Sequence, residues 1–307
     1  MVMINSYKEL IIKEISSSLT LDLENLRWFP IVPLLPKTDC DLFSLLDIIP
    51  KKGFVANVDD QSTLFSKAYG QLLDAQKDSF MIDIARKNYA NEDFWLKCNT
   101  AKTPIFKPDS VGILTALSNG ASFDFTFDSK NYPPPKIDLF PSYPNLVIYQ
   151  PFLDFNEMAS KERFVFKLHF DKIVHVPIRF GSWFNQGAFV KAFTDKGNWM
   201  SGSNLATWDE LFGTNGIMTL FTNGLLVASG MTLEIQSFAK YDLKTLLLLK
   251  SSLLTSVWPF YLNPEDARCS FDIGTDGSIT IKVTTSKSKN LLLAMEAVLV
   301  SSSVSGS

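Results

Sequence analysis

The apolar positions change period along the chain. In the first third they recur at helical spacing; beyond about residue 105 they alternate. Tyr7, Leu10, Ile11 and Ile15 fall on one helical face, and Ser6 with Glu9 has the form of a capping box. The serines at 16–18 are expected to end that helix. Pro30, Pro33 and Pro36 then punctuate the apolar run 28–36. Prolines at this spacing exclude a helix interior and a central strand, so an extended segment docked on the body is predicted. A short helix is expected from Thr38 or Asp39 to Ile49, stopped by Pro50. The strongest helical stretch is 60–98. Leu64, Phe65, Ala68, Tyr69, Leu72 and Leu73 share a face, with Asp59 or Asp60 placed to cap it, and Ile84, Ala85, Asn88 and Tyr89 continue the pattern.

After Thr103-Pro104 and Lys107-Pro108 the texture is that of strands. Phe123, Phe125 and Phe127 alternate with Asp124, Thr126 and Asp128, which predicts a half-buried strand. Residues 131–135, with three prolines, read as loop. Two strands are expected at 163–170 and 173–180, joined by a turn at Asp171-Lys172. Residues 231–238 form another. Gly274-Thr275-Asp276-Gly277, between alternating runs, predicts a hairpin. Gly213-Thr214-Asn215-Gly216 echoes it and reads as a second hairpin turn. Residues 291–300 read as strand or short helix. The expected fold is α+β. A mainly helical region, 1–104, carries the proline-rich docking segment; a larger, mainly antiparallel, sandwich-like β body spans 105–307.

Composition narrows the function. The chain has 307 residues, of which 25 are Phe and 20% are charged. Such a composition favours strands, cores and contact surfaces. Residues 1–104 carry 12 basic and 14 acidic side chains, against 17 and 18 in the remainder. Neither part has the basic footprint of a nucleic-acid binder. Cys40, Cys98 and Cys269 are far apart and odd in number, so three buried thiols in a reducing compartment are expected, with one disulfide plus a free thiol as the alternative. There is no CxxC pair and there are only two histidines, so no metal site is expected. The start of the chain lacks the pattern of a signal peptide, and no apolar run is long enough to span a membrane. Synthesis in the cytoplasm is expected, with leaderless release left open.

Candidate chemistry is sparse. His169 and His175 lie six apart and could work with Asp171, although ordinary strand histidines are the preferred reading. Asp209-Glu210 follows Thr207, and Glu265-Asp266 follows Asn263-Pro264; both read as acidic helix starts. Ser286-Lys287-Ser288-Lys289 has S-x-x-K spacing but lacks the helical setting of that motif. No phosphate loop or dinucleotide fingerprint occurs, so no cofactor is expected. The leucines at 246–249 and 253–254 are apolar nearly all round and read as buried.

The densest feature is 181–212, where aromatics alternate with amides and hydroxyls. Trp183, Phe184, Asn185, Trp199 and Trp208 are the candidate binding residues, against the plainer reading that these rings plug the core. The function this favours is a non-enzymatic binding or assembly protein acting through aromatic β surfaces. Toxin-like cell-surface or membrane binding and self-assembly are its two forms. The expected partner is a second copy, or a protein or cell surface met peripherally. The alternative is a hydrolase-type enzyme with a site assembled in space near 169–175.

Overall fold

A computed structural model describes residues 7–29, 32–50, 63–99, 102–131, 162–244, 246–247, 262 and 265–301. Ser6 of the expected capping box, the Asp59/Asp60 cap, the prolines at 133–135 and the leucines at 248–249 and 253–254 lie outside these residues.

The helices are α1 (Tyr7–Ser18), α2 (Asp39–Leu46), α3 (Phe65–Asp74), α4 (Phe80–Ala90), α5 (Ser110–Ser118), α6 (Gln186–Thr194) and α7 (Trp208–Phe212). The strands are β1 (Leu26–Trp28), β2 (Trp95–Lys97), β3 (Lys102–Pro104), β4 (Phe106–Lys107), β5 (Ala121–Asp128) and β6 (Phe164–Pro177). They continue with β7 (Arg179–Phe180), β8 (Leu220–Ser237), β9 (Ala267–Ile273), β10 (Ile279–Thr285) and β11 (Asn290–Leu299). The fold is α+β, with a β-rich body built on one seven-stranded antiparallel sheet and two two-stranded ribbons, β2–β3 and β4–β7. Among the described residues, the layer that covers the large sheet is helical.

The 18-residue β8 organises the sheet. One side of it pairs along its length with β6, which pairs in turn with β5. Its other side is shared: β11 takes residues 220–229, and β10 takes 232–237. The segment after β1 runs along β11, with Phe29 N–H donating to Leu293 O at 3.1 Å and Leu35 N–H to Asn290 O at 2.8 Å. Prolines are tolerated on this outer path because a sheet edge leaves the missing donors unneeded.

Two apolar cores lie on opposite faces. The first is built by Ile11, Ile12 and Ile15 of α1 over Phe164, Phe166, Leu168 and Phe170 of β6 and Met231, Leu233 and Ile235 of β8. The second joins Leu42 and Phe43 of α2, Tyr69 and Leu72 of α3, Ala85 of α4, Ile113 of α5, Phe189 of α6 and Phe212 of α7 to Val176, Leu225 and Val227 of the sheet.

The expected turn at Asp171-Lys172 is absent; β6 runs straight through it. Pairing with β8 continues without slip from Phe164↔Ser237 to Pro177↔Gly224. What changes is the phase. The first core takes even residues of β6 up to Phe170, then Ile173; in β8 it takes Ile235, Leu233 and Met231, then Ala228 and Leu226. Both strands therefore roll over by one residue together, at Asp171 and Gly230. Gly230 has φ +64°, and a Cβ there would collide with the Asp171 side chain. Glycine alone allows this conformation and this approach.

Three further expectations are corrected. Residues 213–216 do not form a hairpin; they link α7 to β8, whereas 274–277 does turn β9 into β10, with Gly277 at φ +79°. Glu265-Asp266 sits in a turn before β9 and not at a helix start; Asp266 instead pairs with Lys289 across the turn into β11. Cys40 and Cys98 are not free thiols but form a disulfide across 58 residues, leaving Cys269 as the free thiol. The start of α2 and the end of β2 bring the two Cα atoms to 5.8 Å, within bridging range. The helix start at Thr207 is real: Thr207 and Glu210 form a full capping box for α7.

Candidate functional site

The aromatic segment closes the second core. Trp183 is fully buried, and its indole N–H donates to Ile105 O at 2.8 Å. In this position its ring meets Phe65, Tyr69, Trp95 and Phe106, not a ligand. Trp199 and Trp208 are half-buried. Their indole nitrogens donate to Ala192 O at 3.0 Å and Phe193 O at 2.8 Å, which fastens the end of α6. Lys196 lies over the Trp208 ring at 3.4 Å. Asn185 caps α6: its Oδ1 accepts from Ala188 N–H at 2.9 Å, and its own N–H donates to Tyr69 Oη at 3.0 Å. Buried indoles normally need such acceptors, so these three side chains build the wall.

Phe184 is the candidate residue that lines open space. It stacks near Phe180 at 4.3 Å between ring centres. Together with Phe189 and Phe221 the two rings line a cavity of about 380 Å³ between β7, the start of β8 and α6. Arg179, Gln186 and Asn223 supply its polar groups. A size in the small-ligand range and aromatic walls with few polar points fit a binding pocket. On the far side of Phe180 lies a second cavity of about 430 Å³, lined by Phe94, Ile105, Lys107 and Ser182.

The electrostatics of this corner are unusual. Lys107 and Arg179 are cross-strand partners in the β4–β7 ribbon. Like charges placed directly opposite repel. Both are exposed, and among the described residues neither has a carboxylate partner. The pairing was invisible in the sequence, because two-residue strands carry no period. Behind the cavity, Asn223 Nδ2 donates to Glu296 Oε2 at 2.8 Å, and His175 Nε2 meets the same oxygen at 3.1 Å. These bonds, His175 first, hold the Glu296 carboxyl below its usual range despite partial burial.

The two histidines do not form one site. The phase change puts His175 on the face of the first core and His169 on the opposite, solvated face. His169 Nδ1 meets Asp124 Oδ1 at 2.8 Å and Nε2 meets Asp171 Oδ1 at 3.2 Å, while Lys287 reaches Asp171 Oδ2 at 3.2 Å. The hydrogen bond to Asp124, followed by that to Asp171, raises the imidazole pKa. With both nitrogens against carboxylates, neither is directed at a hydroxyl nucleophile. Nor does the S-x-x-K stretch assemble one: Lys289 is tied to Asp266, Lys287 to Asp171, and Ser286 Oγ lies 2.8 Å from Ser288 Oγ. A polar depression of about 570 Å³ beside Arg268 and Thr284 is lined by Asp266, Lys289 and Ser286 of this stretch.

A buried carboxylate was also missed. Asp47, just beyond α2, accepts from Ser66 N–H at 2.8 Å and Ser66 Oγ at 2.6 Å. It thereby caps α3, whose own cap position, Leu64, offers no side-chain oxygen. Burial pushes its pKa up to about 6.

Among the described residues, no group of three or more His, Cys, Asp or Glu is arranged to hold a metal ion, and no helix is long and apolar enough to cross a membrane. No protein-family model, curated protein or solved structure matches this chain.

Proposed function

We propose that this chain is a non-enzymatic binding protein, toxin-like in that its aromatic corner engages a cell-surface membrane peripherally. The observation that carries the reading is the exposed apolar rim beside the cavity. Phe80, at the start of α4, is 83% exposed, and Met81 and Ile84 are exposed with it. Met81 lies against Gly187 in the first turn of α6, the helix that walls the cavity. Exposed aromatic and aliphatic groups next to a pocket mark interaction surfaces, and the free cations Lys107 and Arg179 favour an anionic one. The Cys40–Cys98 disulfide supports a released form, because such bonds persist outside the reducing cytosol. Self-assembly and the hydrolase reading have less behind them: the imidazole at 169 is clamped by two acids.

Flotation with vesicles tests this. The protein is expected to rise with vesicles containing phosphatidylserine, more than with phosphatidylcholine alone, and Phe80→Ser is expected to reduce the floated fraction several-fold. Protein that stays at the bottom with both vesicle types would overturn the reading. Growth in mass by light scattering without lipid would favour self-assembly in its place.

A further inference from the structure

We infer that the cavity between β7, β8 and α6 binds a single anionic amphiphile, its apolar body among the phenylalanines and its acid group between Arg179 and Lys107. This deepens the membrane-binding reading and rests on the same corner of the molecule.

Three features argue for it. The first is the wall. Phe180, Phe184, Phe189 and Phe221 surround the space, and no carboxylate lines it. Such a surface favours an apolar body over a sugar, which would need several hydrogen-bonding groups. The second is the cation pair. Lys107 and Arg179 face each other across a ribbon only two residue pairs long. A ribbon this short is marginal by itself, and repulsion between its side chains weakens it further. It is held by Phe106 and Phe180, with ring centres 5.7 Å apart, and by Gly181 N–H donating to Ile105 O at 2.9 Å. Arg179 therefore sits on a fixed backbone lining the cavity, and Lys107, across the ribbon from it, lines the neighbouring cavity beyond Phe180; neither is neutralised by a carboxylate among the described residues. Several other cations at or beside the large sheet are matched, Lys167 by Glu234 and Arg163 by Asp128. An acid group placed between Lys107 and Arg179 would remove the mismatch and accept from the guanidinium. The third is the rear of the pocket. Glu296 Oε2 is already engaged by the wall residue Asn223 and by His175, and Glu296 does not line the cavity.

The shared chemistry is an alkyl chain or aromatic body ending in an anion. It could arrive as a free fatty acid or as an acidic lipid within a bilayer. Calorimetric titration with decanoate, decanol and decyltrimethylammonium, each below its micelle concentration, reads the free form; vesicle flotation reads the bilayer form. Decanoate is expected to bind about tenfold more tightly than decanol, and the cationic amphiphile more weakly than either, the size expected of two partly exposed charge contacts. Lys107→Gln with Arg179→Gln is expected to erase the preference for decanoate and to leave decanol binding unchanged, which also shows that the variant is folded. Phe184→Ala is expected to weaken both. Equal binding of decanoate and decanol to the unmodified protein would overturn the inference, as would a preference that survives loss of both cations. The two readings fail separately. Flotation without amphiphile binding retains the membrane contact and discards the cavity ligand; amphiphile binding without flotation does the reverse.

Discussion

The strands β6 and β8 serve two surfaces of opposite character. On one side of the Asp171–Gly230 step, their outward residues form a solvated polar face, with Lys167, His169, Glu234 and Thr232 in lateral rows with Asp124 and Lys282. On the other side, Val176, Leu225 and Val227 lie under α2–α7 among packed aromatic rings. The polar half pairs most of its charges internally. The aromatic half buries large rings and sets two cations, Lys107 and Arg179, opposite each other at its rim. Charge pairing and ring packing are thus assigned to different halves of one sheet. The step that separates them is a single rotation of two paired strands.

The largest effect should come from the centre of the aromatic half. Trp183→Ala removes a fully buried ring and its hydrogen bond to Ile105. A loss of about 3–5 kcal/mol in urea unfolding is expected. Lys167→Ala, in the polar half, should cost about 1 kcal/mol or less, because its partner Glu234 is a partly exposed surface acid. Comparable losses at the two positions would erase the distinction between the halves. Next is the step itself. Gly230→Ala forces a side chain into a left-handed conformation and against Asp171. A cost of about 2–3 kcal/mol is expected, of which Asp171→Ala in the same chain should restore the clash part but not the backbone part. Full restoration would mean that the conformation at 230 is not left-handed.

The step also explains what could be read from the sequence and what could not. The α+β class was legible, because α3 and β5 have clean periods: Phe65, Tyr69 and Leu72 in one, Phe123 and Phe127 in the other. A one-residue change of phase, however, looks like a break when read in one dimension. Asp171-Lys172 therefore read as a turn between two strands, while pairing with β8 keeps the strand continuous. Of the candidate site residues, Phe184 lines the cavity, but Trp183 is a core ring whose polarity is spent on Ile105. Sequence places aromatics in a region; only packing decides which of them face inward. Lys107, Arg179 and Asp47 act through partners 72 and 19 residues away and left no local pattern.

Smaller, and confined to the helical side, is the effect of Asp47. Its folded pKa, raised by burial to about 6, exceeds the unfolded value near 3.8. Between those values the folded state keeps a proton that the unfolded chain has lost, so stability falls as pH rises through this window and levels off above it. The difference between pH 4 and pH 7 attributable to this group is about 2–3 kcal/mol. Asp47→Asn should abolish it while keeping an oxygen for the Ser66 N–H. An unchanged slope in the variant, measured by urea unfolding across pH 4–7, would show that Asp47 is not the group that titrates.

The smallest effect belongs to His169 in the polar half, and it falls in a different window. The hydrogen bond to Asp124, then that to Asp171, raise the imidazole pKa above the ordinary 6.5, against the opposing effect of partial burial. The stabilisation is fully present below pH 6.5 and is lost as pH rises through the folded pKa. The ring is 35% exposed, so solvent and salt screen the interaction and the stability change should be slight. The titration itself is the better readout. In the proton resonance spectrum the His169 ring should titrate above 6.5, and Asp124→Asn should move it down. Added salt should do the same, because the second contact, to Asp171, shares its carboxylate with a lysine that is 87% exposed. A midpoint that ignores both Asp124→Asn and salt would mean that the strand β5 carboxylate does not reach the ring, and that the polar half does not pair its charges as the aromatic half packs its rings.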